Sequence, residues 1–188
     1  MAPPAQEYLY TLAVVAVTFV GFSTIFASFR QALGGTISKY DLLLTRSILH
    51  LGLMVVLGAL LPSLLELLGF QPNIILRGAS ALTGTVVLVF NATYPARRRA
   101  ATGAAMPKKV WIDATLIYIS AAVLLANAAG AAIRSSVASY ALGLTVLLLA
   151  TFLAFMFGLD LLPRVPSRPV SKKSAAPAKR VEERGADR

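Results

Sequence analysis

A chain of 188 residues that is 57% hydrophobic and only 14% charged, with a mean hydropathy of +0.72, lies outside the balance of a water-soluble domain. Having no cysteine, it can form no disulfide, thiolate metal site or thiol nucleophile, and its one histidine, His50, cannot build a histidine-rich metal centre. The net charge of +10 raises nucleic acid as a partner, but the basic stretches lack aromatic residues for base stacking and fit no binding motif, so none is expected.

A transmembrane helix needs about 20 predominantly apolar residues to cross a hydrocarbon layer of about 30 Å, and five segments reach that length in turn. The first, Tyr8 to Phe29, follows Glu7 and has no basic n-region, so it reads as a retained span rather than a cleaved signal. A basic connection with a Gly34-Gly35 turn leads to Ser38, whose spacing to Asp41 suits a helix cap, and the second span runs from Asp41 to Leu61. The connection from Pro62 to Asn73 holds no Lys or Arg. It carries Glu66 together with Leu64, Leu65, Leu67 and Leu68, a composition open to a short interfacial helix over Ser63 to Phe70, as a lid or simply as a linker, with linker the preferred reading. The third span is Ile74 to Tyr94, followed by Pro95 to Lys109 with Arg97, Arg98, Arg99, Lys108 and Lys109. The fourth and fifth, Val110 to Ile133 and Ser136 to Leu162, are separated only by Arg134 and the serines beside it, so a re-entrant pair is the rival reading there. This divides the chain into an all-α bundle over residues 1–162 and a basic tail over 163–188. The tail's Pro, Ser, Ala and Lys content predicts disorder.

Lys and Arg near the spans set membrane orientation. Here the first and third connections and the tail are basic while the second is not, which predicts an N-terminus outside and a C-terminus in the cytoplasm. Arg97, Arg98, Arg99, Lys108, Lys109, Arg164, Arg168, Lys172 and Lys173 are accordingly expected against anionic lipid headgroups.

Small residues at helical spacing let helices approach closely in lipid. Ser80 and Gly84 on the third helix, and Gly143, Ala150, Ala154 and Gly158 on the fifth, have this spacing. They predict packing within the chain, or else a seam with a second copy. Polar residues form stripes as well: Asp113, Ser120, Asn127 and Arg134 recur every seven residues, Arg77, Ser80, Gly84 and Asn91 share a helix, and Arg46 and His50 lie one turn apart. By topology Arg46, His50, Asn91, Asp113 and Asp160 fall at the cytoplasmic side, where Arg46 is expected to pair with Asp113 or Asp160. Such a cluster clamps helices or relays protons and ions, and it offers no convincing catalytic nucleophile. No cofactor motif is present: Gly34-Gly35 lies in no phosphate-binding pattern.

The runs Thr18 to Ser23 (TFVGFS), Phe29 to Gly35 (FRQALGG), Asp41 to Arg46 and Gly58 to Pro62 (GALLP), with Tyr140 to Leu144 less clearly, resemble a group of small uncharacterised bacterial multi-pass membrane proteins. The resemblance covers roughly the first hundred residues. It implies a bacterial cytoplasmic membrane and the same helical bundle, and brings no activity, ligand or catalytic residue. Together these features predict a non-enzymatic accessory or sensor component, with a small transporter or channel as the alternative.

Overall fold

The computed structural model describes residues 3–32, 39–103, 108–130 and 136–160. They form five helices: α1 (Pro3–Ala32), α2 (Lys39–Leu67), α3 (Pro72–Thr102), α4 (Lys108–Ala129) and α5 (Val137–Asp160). Each holds a stretch of between 20 and 29 residues long and apolar enough to cross a bilayer, and no strand is present among the described residues. The chain is an all-α multi-pass membrane protein. α4 and α5 are each long and apolar enough to cross a bilayer on their own, which favours two crossings over a re-entrant pair.

Successive helices run antiparallel. Ser80 meets Asn127 and Asn91 meets Ala114 between α3 and α4, Gly58 lies against Leu144 while Gly158 lies against Leu44 between α2 and α5, and α1 runs parallel to α5. α2 and α5 are the central pair. α1 packs on one side of them and α3 and α4 on the other, whereas α2 and α4 do not touch. The main core, with Leu9, Leu51, Val55, Val87, Leu124, Tyr140, Leu144 and Leu147, lies along this central pair. A second cluster of Ile48, Ala154 and Phe155 closes the end where α2 begins and α5 finishes. There Phe155 meets Phe19, Phe22 and Phe26 of α1 edge-on at 5.3, 6.0 and 5.7 Å, a geometry that suits the ring quadrupoles. Arg97, Arg98 and Arg99 lie on the last turns of α3 at this same end, called the basic end below.

Helix boundaries depart from the sequence reading mainly at two prolines. α2 continues through Pro62 to Leu67 and α3 through Pro95 to Thr102. Ser63 to Leu67 therefore extend α2 instead of forming a separate interfacial helix, and Arg97 to Arg99 are helical instead of lying in a loop. A proline removes the N–H that would bond the carbonyl four residues earlier, and in lipid a neighbouring helix can satisfy that carbonyl. For Pro62 the freed carbonyl belongs to Gly58, and the Tyr140 hydroxyl of α5 donates to it at 2.6 Å. Pro62 and Tyr140 are both fully buried. The true end of α2 is Gly69 at φ +79°, where the Gly69 N–H bonds Glu66 and the Phe70 N–H bonds Leu65, the paired hydrogen bonds of a left-handed glycine cap. Ser136, expected as the first residue of α5, precedes the helix and caps it, its Oγ accepting the Ser139 N–H at 3.1 Å. Ser38, Gly34, Gly35, Arg134 and the tail from 163 onward lie outside the described residues.

Candidate functional site

Three of the stripe residues donate hydrogen bonds across helix interfaces. Asn127 of α4 donates from Nδ2 to Ser80 Oγ of α3 at 2.8 Å, and its Oδ1 accepts the Ser136 N–H at 2.9 Å where α5 starts. Ser120 donates to the Gly143 carbonyl of α5 at 2.7 Å, a contact possible because a Cβ on Gly143 would lie 2.8 Å from Leu124. Asn91 of α3 donates to the Ala114 carbonyl of α4 at 3.0 Å. All three donors are buried. Such bonds average about 0.6 kcal/mol between membrane helices, so their first effect is to fix which faces of α3, α4 and α5 meet.

Small residues work at the same interfaces. Gly84 of α3 lies under Leu124 and Leu125 of α4, and Gly158 of α5 lies under Leu44 of α2. Ala150 is fully buried and Ala154 nearly so. The small-residue face of α5 is thus packed inside the chain.

The polar cluster expected at the cytoplasmic side separates into two parts. Arg46 and His50 are exposed on α2. The His50 Nδ1–H donates to the Arg46 carbonyl at 2.5 Å, and its ring stacks on Phe90 of α3 at 5.8 Å and 23°. Phe90 also receives Arg97, whose guanidinium carbon lies 4.2 Å from the ring centroid while Nη2 donates to the Phe90 carbonyl at 2.6 Å. The second part lies on the α3–α4 interface, where Asn91 is adjacent to Phe90 in sequence and bonded beside Asp113. Asp113 is half-buried, and its Oδ1 is buried with no hydrogen-bond partner among the described residues.

The expected ion pair between Arg46 and Asp113 is not formed. Arg46 projects from α2 and Asp113 from α4, and those two helices are not neighbours. Asp160 ends α5, and its side chain lies outside what is described. The arginines expected together on headgroups also diverge: Arg97 folds back on Phe90, Arg98 is buried and Arg99 is exposed. Sequence reasoning missed Phe90 and Tyr140. The signals were a proline four residues after Gly58 and an arginine seven residues after Phe90, each of which calls for or supplies a polar partner inside a helix.

No group of three or more His, Asp or Glu residues that could hold a metal ion occurs among the described residues. Comparisons with protein-family models, with curated proteins and with solved structures return no match. The resemblance to small bacterial membrane proteins therefore rests on the residues quoted for it.

Proposed function

We propose that this chain is a non-enzymatic component of the bacterial cytoplasmic membrane, acting as an accessory subunit or small-molecule sensor, with its N-terminus outside and its C-terminus in the cytoplasm. The observation that supports this most is how the interior hydroxyls and amides are used. Ser120, Asn91, Asn127 and Tyr140 each donate to a group on a neighbouring helix, which favours a polar interior devoted to holding the bundle together. The orientation draws on the basic residues that gather where α1 and α3 end and α2 and α4 begin.

Reconstitution in nanodiscs followed by mass spectrometry tests the reading. A stoichiometric protein partner or a defined small ligand is the expected result, and recovery of the bare chain together with ion or proton flux in proteoliposomes would overturn it. The alternative, a small transporter or channel using Arg46, His50, Asp113 and Asp160, is favoured by one feature, the unpartnered Oδ1 of Asp113. Flux lost in both His50→Gln and Asp113→Asn would support that alternative. Orientation is tested separately. The chain has no native cysteine, so Phe70→Cys and Ala100→Cys, at exposed positions on opposite ends, should react with an impermeant maleimide from the outside and the cytoplasm respectively.

A further inference from the structure

We propose that the groove between α2 and α3 at the basic end binds the phosphate of an anionic phospholipid, held by the guanidinium groups of Arg46 and Arg97. Both arginines lie inside membrane-spanning stretches, Arg46 within Leu42–Leu67 and Arg97 within Ile74–Thr102. An arginine at membrane depth needs a counter-charge or a route to the headgroups, and neither side chain forms an ion pair among the described residues.

Three contacts connect the stretches of α2 and α3 that carry the two arginines. Arg46 and His50, four residues apart, share a face of α2, and the His50 Nδ1–H holds the Arg46 carbonyl. His50 and the Arg97 guanidinium both lie within 6 Å of the Phe90 ring centroid, at 5.8 and 4.2 Å. That ring brings His50 of α2 and Arg97 of α3 to one level, with Arg46 one turn from His50 on the same face of α2. Arg97 is already oriented: it lies across Phe90 and is tethered through Nη2 to the Phe90 carbonyl. A guanidinium offers five N–H donors in a planar fork that matches phosphate oxygens, and the Phe90 carbonyl takes a bond from Nη2 alone. The polar anion available at that depth is the headgroup phosphate of the adjoining leaflet. This inference does not depend on the accessory or sensor reading, since either role leaves the groove in contact with lipid.

The test is native mass spectrometry of the full chain released from nanodiscs of mixed phosphatidylglycerol and phosphatidylcholine. The unaltered chain should retain phosphatidylglycerol preferentially, and Arg97→Gln or Arg46→Gln should each lower that preference about fivefold. Arg99→Gln removes the same charge from an exposed position and should leave the preference intact. Arg97→Lys keeps the charge without the planar fork and should fall between Arg97→Gln and the unaltered chain. Should Arg97→Gln fail to fold, Arg46→Gln carries the test, because the exposed Arg46 side chain holds no hydrogen bond or ion pair among the described residues. The proposal is overturned by an equal loss in Arg99→Gln, by the absence of any preference in the unaltered chain, or by displacement of the lipid with millimolar inorganic phosphate.

Discussion

Removing the Tyr140 hydroxyl should cost more stability in the native chain than in a chain that lacks Pro62. In the native chain Tyr140→Phe strips the Gly58 carbonyl of the donor at 2.6 Å that replaces the missing proline N–H. A buried acceptor left unmet costs about 1–3 kcal/mol, whereas hydrogen bonds between membrane helices have measured nearer 0.6. The nearest substitute is Thr83, whose Oγ1 is 3.5 Å from the Tyr140 hydroxyl and also 3.5 Å from where a Cβ of Gly58 would stand. With partial rescue from Thr83, a loss of about 1–2 kcal/mol is expected. In Pro62→Ala the restored helical N–H reaches Gly58 unaided, so Tyr140→Phe should there cost less by about 1 kcal/mol, roughly a fivefold change in the unfolding equilibrium. Reversible unfolding of the four proteins in mixed micelles gives the coupling directly. An equal cost in both backgrounds would falsify the claim that Tyr140 serves the carbonyl freed by Pro62.

Gly52→Ala should destabilise by about 1–3 kcal/mol, because its Cβ would collide with Val20 of α1, while Gly21→Ala, with open space around it, should be neutral or slightly stabilising; thermal melts of the pair check this, and equal effects would refute it. Asp113→Asn should hold or raise stability by up to about 1 kcal/mol, since it removes a carboxylate whose Oδ1 has no partner, and a clear drop in melting temperature would mean that the charge is paired. Gly158→Leu should cut folded yield rather than self-association, because its side chain would drive into Leu44 of α2; a folded monomer obtained from a dimeric parent would contradict this.

The number of helices, their order and their approximate centres were legible in the sequence because the apolar runs are long and bounded by charge or by glycine. The seven-residue spacing of Ser120 and Asn127 also marked the face of α4 that turns inward, since both side chains bond across it. Pro62 and Pro95 misled the reading: in water each would end a helix, and only the neighbour's hydroxyl, on a helix almost eighty residues later in the chain, explains why Pro62 does not. The composition of the polar cluster was harder to read for a related reason. Depth along a helix follows from counting residues, which places Arg46, His50, Asn91 and Asp113 near one level. Which helices stand side by side depends on packing, and α2 and α4 sit on opposite sides of the neighbours they share. A level common to four residues is therefore no guarantee of a common site.

The pairing of the first helix with the last has a consequence for biosynthesis. Among the described helices α1 touches α2 and α5, and its contact with α5, through Tyr8 on Thr145 at 2.7 Å and through Phe19, Phe22 and Phe26 on Phe155, can form only after the fifth helix has left the ribosome. Until then that phenylalanine edge is exposed to lipid or to the insertion machinery. A nascent chain arrested before α5 is thus a distinct species, in which Phe19, Phe22 and Phe26 lack the ring that they meet in the finished protein.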